Sequence, residues 1–423
     1  MAIEKVDLVI VGAGPAGLAA AAEVAQQNGT VVVLDESPQP GGRLPSQIHR
    51  KPRSVGRGNG SWSNGAVKAE TLANEAQSAG ARILCGVAAW GIFPDWYVGI
   101  APTDSSQLIG NCPVGFEARA VLVATGASQN PLILPGWTLP GVITAGAAQT
   151  MINVHRVLPG HQAVIIGIDP LCLAVAQLLG AVGAQVLGVF LPPANGLQSG
   201  PTSPKAAIQA LAEFSAHAPG IFLPLAARAG RYMSSLAAAC FPKRGLKIEG
   251  FPLLLRQTAL SINGSKSVET VEIATLDGDG NSISGTRKQL QADVAITSAG
   301  LSPLVELAHL AGCPLHYVPE MGGWVPVHND RFETPRPGIF IAGSISGVEG
   351  AGVAEVQGRI AGLAAAAYLK LADGEILERD IHRHQNNIIE ARQAAIPFYP
   401  QIEAGRARMN QIWRERLKLP TAN

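Results

Sequence analysis

A glycine-rich turn close to the N-terminus constrains the fold of this chain more than any other feature of its sequence. The segment Asp7–Val11 is predominantly apolar, as strands buried on both faces of a parallel sheet are. The turn Gly12–Gly17 follows it with the spacing G-x-G-x-x-G, and residues 18–27 then have the composition of a helix. A second buried strand is predicted over residues 31–34. This order predicts a β-α-β unit and therefore an α/β fold with a parallel sheet.

The spacing of the three glycines indicates a site for the pyrophosphate of a dinucleotide. Gly12 allows a tight turn, Gly14 lets the backbone approach the phosphates, and Gly17 lets the helix pack against the strand. Pro15 and Ala16 begin the helix, whose free N–H groups and positive dipole end favour a bound anion. We therefore predict that all five residues contact the cofactor.

Two adjacent acids, Asp35 and Glu36, follow the second strand. They stand about 20 residues after the glycine turn, where a carboxylate can accept hydrogen bonds from ribose hydroxyls. Both are candidate cofactor-binding residues. We favour Glu36 for the ribose, because it stands closer to the Gly41-Gly42 pair, and we expect Asp35 to be a packed or solvent-facing acid.

The length of 423 residues is enough for two or three domains. We predict a discontinuous dinucleotide-binding domain over residues 1–130 and 292–370. A second β-α-β pattern begins near Gln162, so residues 131–291 are predicted to form a second Rossmann-like domain. The more charged residues 371–423 are predicted to form a helical C-terminal tail.

The second β-α-β pattern has a degenerate fingerprint. Gly167 is in place, but Asp169 and Cys172 stand where a working dinucleotide site has glycines. Asp169 would direct a negative charge at a phosphate, and Cys172 adds bulk where the helix and strand should touch. We therefore predict that no ordinary NAD(P) site forms in this domain.

A loop over residues 39–65, rich in Pro, Gly, Ser and Arg, leaves two interpretations open. It is either a solvated connector or an ordered segment that covers the cofactor or lines a partner interface. The sequence identifies no catalytic base.

Composition excludes several classes of function. The net charge of +1 gives no electrostatic case for nucleic acid or an anionic membrane. Five widely spaced cysteines form no CxxC pair, zinc motif or local iron–sulfur motif, so we expect no metal site and reduced thiols in a cytoplasmic protein. No run of about 18 apolar residues is present, and the apolar start, which carries the glycine fingerprint, does not resemble a signal peptide. We expect neither a membrane span nor a nucleic-acid partner.

Four further segments carry a family resemblance. They are Pro135–Gln149 (PGWTLPGVITAGAAQ), Ser298–Pro303 (SAGLSP), Gly322–Pro326 (GGWVP) and Glu355–Arg359 (EVQGR). Together with the glycine turn, they resemble the FAD-binding α or A subunits of octopine and nopaline oxidases, hydrogen cyanide synthase and heteromeric proline or hydroxyproline dehydrogenases. The resemblance covers about residues 5–370 and implies two Rossmann-like dinucleotide-binding domains of glutathione-reductase type.

The resemblance also implies FAD as the cofactor and extends the set of cofactor-binding residues. The additional candidates are Gly42, Arg43, Ala89, Ala124, Thr125, Gly126, Gly343, Ser344, Gly350 and Ala351. Related flavoproteins usually have an Asp, which binds the ribityl chain, where this chain has Ser344. A hydroxyl still forms a hydrogen bond there, but without the strength of a charged acceptor.

In the resembling family, a β subunit similar to D-amino acid oxidase usually oxidises the C–N bond of an amino acid or opine. The α subunit then passes electrons onward. The resemblance thus implies that the partner is such a β subunit. It also leaves open further cofactors in partner subunits, which are a [2Fe-2S] cluster in a small Cys-rich subunit, or FMN. Two alternatives remain: a stand-alone NAD(P)H-dependent flavin oxidoreductase, and a structural nucleotide-binding subunit without redox function.

Overall fold

The computed structural model describes residues 3–50, 62–104, 114–194, 200–217, 237–238, 240–248 and 250–417. Residues 51–61 of the loop 39–65, and Cys112, lie outside this part of the chain. The strands are β1 (Ile3–Val11), β2 (Val31–Asp35), β3 (Ile48–Arg50), β4 (Trp62–Asn64), β5 (Arg82–Cys85), β6 (Val87–Ile92), β7 (Tyr97–Pro102), β8 (Gly115–Val123), β9 (Ala127–Gln129), β10 (Val142–Thr144), β11 (Gln162–Ile166), β12 (Gln185–Leu191), β13 (Leu246–Ile248), β14 (Phe251–Asn263), β15 (Thr270–Thr275), β16 (Lys288–Gln291), β17 (Val294–Thr297), β18 (Leu301–Pro303), β19 (Leu315–Val318), β20 (Gly323–Pro326) and β21 (Ile339–Ile341). The helices are α1 (Pro15–Gln26), α2 (Gly65–Ser78), α3 (Ala145–Asn153), α4 (Pro170–Ala181), α5 (Pro204–His217), α6 (Glu306–Leu310), α7 (Ala351–Leu369), α8 (Gly374–Ala394) and α9 (Ile402–Leu417).

The chain divides into two compact units. The first contains Met1–Pro45, Gly65–Ser128 and Ser302–Asn423, and the second contains Ser46–Asn64 and Gln129–Leu301. The described residues Ser46–Arg50 and Trp62–Asn64 of the loop 39–65 therefore group with the second unit, and the C-terminal helices group with the first.

The first unit is built on a seven-stranded sheet in the order β5-β2-β1-β8-β7-β6. Strands β5, β2, β1 and β8 run parallel, and β21 extends the parallel part along the outer edge of β8. The antiparallel hairpin β6–β7 continues the sheet beyond the other half of β8. Because Leu8–Ile10 and Ala120–Val123 are fully buried on both faces, these central strands anchor the hydrophobic core.

Helices α1 and α7 pack closely because small residues line their contact. Ala19–Ala22 of α1 are completely buried. A Cβ atom added to Gly362 of α7 would lie 2.7 Å from the carbonyl oxygen of Ala20, and one added to Gly358 would overlap the Ala16 carbonyl. The two backbones therefore approach more closely than larger side chains would allow.

The two C-terminal helices complete the first unit. Helix α8 buries Leu377, Ile381, His384 and Ile388, which recur every three or four residues and so share one face. Helix α9 covers the β19–β20 hairpin, where Ile402 and Met409 join a small apolar cluster. These contacts make the charged tail predicted from the sequence an integrated part of this unit.

The second unit contains a separate sheet in the order β10-β17-β11-β12-β14-β15-β16. Strands β10, β17, β11, β12 and β14 are parallel to their neighbours, whereas β15 and β16 are added antiparallel. Helix α4 crosses between β11 and β12, which gives the second β-α-β unit that the sequence predicts.

Candidate functional site: a dinucleotide cradle in the first unit

Parallel strands bring three loops to one edge of the first sheet. The Gly12 N–H donates to the Leu34 carbonyl at 2.7 Å, and the Ala124 N–H donates to the Val11 carbonyl at 2.8 Å. The Ala342 N–H donates to the Val123 carbonyl at 3.1 Å. The carboxyl ends of β1, β2, β8 and β21 therefore converge, which is where open α/β sheets bind ligands.

The three glycines of the turn meet different constraints. Gly12 has a φ of +110°, and a side chain there would overlap the Ala124 carbonyl. A Cβ atom at Gly17 would overlap the carbonyl of Gly12, so this glycine lets α1 pack against β1. At Gly14, by contrast, an added Cβ atom would meet no protein atom within 4 Å. The space beside Gly14 is therefore open to a ligand.

The N-terminus of α1 is open as well. Gly14 is its N-cap residue, no side chain caps the helix, and Pro15 occupies the first turn. The free N–H groups of this turn need an acceptor, which a phosphate group provides together with the favourable end of the helix dipole. The open space at Gly14 and the uncapped helix fit the pyrophosphate of FAD.

The two candidate acids are used differently. The Asp35 carboxylate accepts the Ala13 N–H at 2.7 Å and the Ser37 N–H at 2.8 Å, so both of its oxygens are bound to the backbone. Asp35 therefore holds the glycine turn against the end of β2. The Glu36 side chain is exposed at the same edge, where it can reach a ribose.

The Gly41-Gly42-Arg43 segment folds back over the glycine turn. The Gly41 N–H donates to the Ala13 carbonyl at 2.7 Å, and a Cβ atom on Gly42 would lie 3.0 Å from the Gly14 Cα atom. Arg43 is exposed beside it. The structure thus brings these residues next to the predicted pyrophosphate position.

Two other predicted segments frame the edge of the sheet. The Thr125 hydroxyl donates to the Leu304 carbonyl at 2.6 Å, and Gly126 has a φ of +79°, so this strand end turns sharply. Ala89 is half-buried in β6. That strand starts beside the end of β2, because the Gly86 N–H donates to the Ser37 carbonyl at 2.8 Å.

The loop after β21 packs against the first turn of α1. Gly343 has a φ of +82°, and a Cβ atom added to it would lie 3.0 Å from the Ala16 Cβ atom. Ser344 is half-buried, and within the described residues its hydroxyl has no hydrogen-bond partner. Gly350, with a φ of +102°, is the N-cap of α7, which has neither a capping side chain nor an acid in its first turn. Ala351 begins that helix, so a second open helix end faces this edge.

A buried polar network, which the sequence did not reveal, lies directly behind this loop. The Glu349 side chain is 6% exposed and accepts hydrogen bonds from Gln357, Arg392 and Arg406. Arg392 binds both carboxylate oxygens, at 2.9 Å and 3.0 Å. Burial lowers the pKa of the neighbouring His328 to about 4, despite a hydrogen bond to the Pro326 carbonyl that favours its charged form. This histidine is therefore neutral near pH 7.

In the second unit, a protein carboxylate occupies the corresponding helix end. Asp169 is the N-cap of α4 and accepts the Cys172 N–H at 2.8 Å. Its other oxygen accepts the Ser298 hydroxyl at 2.5 Å. Cys172 is fully buried, and a Cβ atom on Gly167 would lie 3.0 Å from its sulfur. The carboxylate of Asp169 thus stands at the helix end where a dinucleotide site would hold a phosphate.

Metal clusters and membrane helices are absent from the part of the chain that the structure describes. Among those residues, no group of His, Cys, Asp or Glu side chains could hold a metal ion. Of the helices described, none has the length and hydropathy needed to cross a bilayer.

The family model of the pyridine nucleotide-disulphide oxidoreductases matches residues 6–368. The chain belongs to this family. It is 30% identical over 368 residues to the A subunit of opine oxidase from Agrobacterium tumefaciens, a match that covers 86% of this chain. It is 26% identical over 398 residues to the HcnB subunit of hydrogen cyanide synthase from Pseudomonas aeruginosa, which covers 93% of this chain and 78% of that relative.

The fold has a counterpart among solved structures. L-proline dehydrogenase from P. horikoshii superposes with a TM-score of 0.58 at 20% identity, covering 90% of this chain and 60% of that one. The chain spans 66% of the length of the opine oxidase subunit, slightly under two thirds. These matches confirm the family resemblance and the glutathione-reductase-type α/β fold predicted from the motifs. By family, the chain is an FAD-dependent oxidoreductase.

Proposed function

We propose that this chain is the FAD-binding, electron-transferring subunit of a heteromeric dehydrogenase or oxidase. Its complex would act on the C–N bond of an opine, imino acid or D-amino acid. The predicted site residues, from Gly12 to Ala351, would hold one FAD in the first unit. When bound, FAD supplies reversible acceptance and donation of electrons.

The contrast between the two helix ends carries this proposal. The α1 end is uncapped beside the open space at Gly14, whereas the α4 end is capped by Asp169. Among the residues that the structure describes, the α1 helix end is free to hold the pyrophosphate of a flavin, whereas Asp169 already occupies the helix end that would bind a nicotinamide dinucleotide in the second unit. Electrons would therefore reach the flavin from another subunit.

The relatives support a role within a complex. The opine oxidase and hydrogen cyanide synthase matches are both described as subunits. We propose that a D-amino-acid-oxidase-like β subunit oxidises the substrate. A small Cys-rich subunit with a [2Fe-2S] cluster, or an FMN in a partner, would extend the electron path. Free thiols at the four described cysteines support a cytoplasmic location.

Within this proposal, the protein's own residues bind and orient the cofactor. The α1 N–H groups would bind the pyrophosphate, and Glu36 would accept hydrogen bonds from the ribose. Ser344 would contact the ribityl chain with a neutral hydroxyl.

The division of labour can be tested by reconstitution. The chain is purified alone and together with the products of neighbouring genes, and dye-linked oxidation of opines, proline and D-amino acids is measured. We expect one FAD per chain in both preparations and substrate oxidation only in the complex. Full dehydrogenase activity from the isolated chain would refute the proposal.

A further inference from the structure

The buried network around Glu349 joins three helices at a single carboxylate. Glu349 precedes α7, Arg392 lies in α8, and Arg406 lies in α9. Their side chains are 6%, 24% and 19% exposed, so all three charges are largely removed from water. The carboxylate and the two guanidinium groups together carry a net charge of +1 in a region of low dielectric. Glu403 also lies 3.9 Å from Arg406, but its side chain is 91% exposed, so water screens its charge far more than it screens the three buried groups.

This charge is connected to the loop at the edge of the sheet. The Glu349 carboxylate accepts the Gln357 Nε2–H at 3.0 Å. The Gln357 Oε1 atom in turn accepts the Gly343 N–H at 2.9 Å. Gly343 immediately precedes Ser344, so a continuous chain of hydrogen bonds joins the arginines to the cofactor loop.

The order of the strands indicates which end of the cofactor meets this loop. Glu36 stands at the end of β2, and the open turn at Gly14 stands at the end of β1. With the ribose of adenosine at β2 and the pyrophosphate at β1, the dinucleotide continues toward β8 and β21. The flavin end therefore approaches the loop that contains Ser344 and the uncapped end of α7.

We propose that Glu349, Arg392 and Arg406 set the midpoint potential of the FAD bound in the first unit. The inference rests on the proposed function, because it requires FAD at this site. Two-electron reduction makes the flavin anionic at neutral pH, so nearby positive charge favours the reduced form. The three side chains act through electrostatics on the flavin rather than by taking part in chemistry, and so are positioning residues.

The test measures the midpoint potential of bound FAD by anaerobic spectroscopic titration against reference dyes. Arg406→Gln and Arg392→Gln each remove one positive charge and should lower the potential. Glu349→Gln removes the negative charge and should raise it. At a fixed solution potential, each change should shift the ratio of reduced to oxidised flavin about tenfold. For a two-electron couple, this corresponds to a change of ~30 mV in the midpoint potential.

The opposite signs separate electrostatics from structural damage. Removing any member of the network loosens the packing, and loosening alone would shift the potential in the same direction in all three variants. Arg406→Lys keeps the charge and should hold the potential within about twofold of the wild-type equilibrium, or ~10 mV. This comparison remains decisive if Glu349→Gln does not fold.

A matched control is Arg331→Gln. Arg331 forms a bidentate ion pair with Glu378 of α8 at 2.7 Å, but it does not contact the Glu349 network. This variant should leave the potential unchanged. Shifts of the same sign in Glu349→Gln and Arg406→Gln, or equal shifts in Arg406→Lys and Arg406→Gln, would overturn the inference. A wild-type chain without flavin would instead refute the proposed function.

Discussion

Replacing Gly14 by Ala should separate cofactor binding from folding. Gly14 has a φ of −73°, which any residue adopts, and its added Cβ atom would meet no protein atom within 4 Å. Ala is a poorer N-cap than Gly by about 0.5–1 kcal/mol. It also restricts the unfolded chain, which stabilises the folded state by about 0.4–1 kcal/mol. These effects offset each other, so the free energy of unfolding of the apo-protein should change by less than about 0.5 kcal/mol.

The affinity for FAD should nevertheless fall. The new methyl group would stand where the backbone must approach the pyrophosphate, and crowding by one methyl group typically costs about 1–3 kcal/mol. The dissociation constant should therefore rise about 5- to 150-fold. Urea unfolding of the apo-protein and titration with FAD, followed by quenching of flavin fluorescence, measure the two quantities separately.

Two glycine variants give the controls. Gly180 of α4 has no protein atom within 4 Å of an added Cβ, so Gly180→Ala should stabilise that helix and leave FAD affinity unchanged. Gly17→Ala should destabilise the apo-protein itself, because its methyl group would overlap the Gly12 carbonyl. If a folded Gly14→Ala protein binds FAD as tightly as the wild type, the assignment of this turn to the pyrophosphate is wrong.

Three further predictions concern groups outside the cradle. Asp169→Ala removes the cap of α4 and should lower the free energy of unfolding by about 1–2 kcal/mol in urea. It should create no NADH site detectable by fluorescence titration, because Cys172 remains; tight NADH binding would contradict this. Arg359→Gln leaves the partly buried carboxylates of Glu23 and Glu75 without their cation, so it should lower the free energy of unfolding by about 3 kcal/mol at pH 7. Hydrogen bonds from Arg359 lower the pKa of Glu75, so the stabilisation that they provide should fade as the pH drops through and below about 4.5. If Arg359→Gln lowers the free energy of unfolding equally at every pH, this mechanism is wrong. Burial lowers the pKa of His328 from 6.5 to about 4, so between pH 6.5 and pH 4 the unfolded chain binds more protons than the folded chain. Stability should fall by about 3 kcal/mol from pH 6.5 to pH 4, and His328→Phe should flatten this slope in denaturation curves.

The local parts of the fold could be predicted from the sequence. The first β-α-β unit was predictable because its strands are continuously apolar and its glycines have fixed geometric roles. The structure starts β1 at Ile3, four residues before the predicted strand, because the polar residues there still pair with β8. The antiparallel strands β6, β7, β15 and β16 were not predicted, since strands of four to six residues with mixed burial carry only a weak periodic signal. The longer strand β14 was not predicted either.

The part of the candidate site that comes from one continuous stretch of sequence, the glycine turn, was predictable. The role of Asp35 in bonding Ala13 was missed, because an acid after a β-strand gives no sign of its partner. The capping role of Asp169 had a local signal, an Asp directly before a Pro at a helix start, which indicates an N-cap. The arginines of the Glu349 network had no such local signal in the sequence. They stand 43 and 57 residues beyond the carboxylate, and only tertiary packing brings them together.

The central claim is that this chain holds a flavin that a nicotinamide donor does not reduce. It is tested most directly by anaerobic stopped-flow absorbance of the FAD-loaded chain. Mixing with NADH or NADPH should leave the flavin band oxidised over seconds, whereas adding an amino-acid or opine substrate should bleach it only when the partner subunit is present. Rapid bleaching of the isolated chain by either nicotinamide would contradict the account.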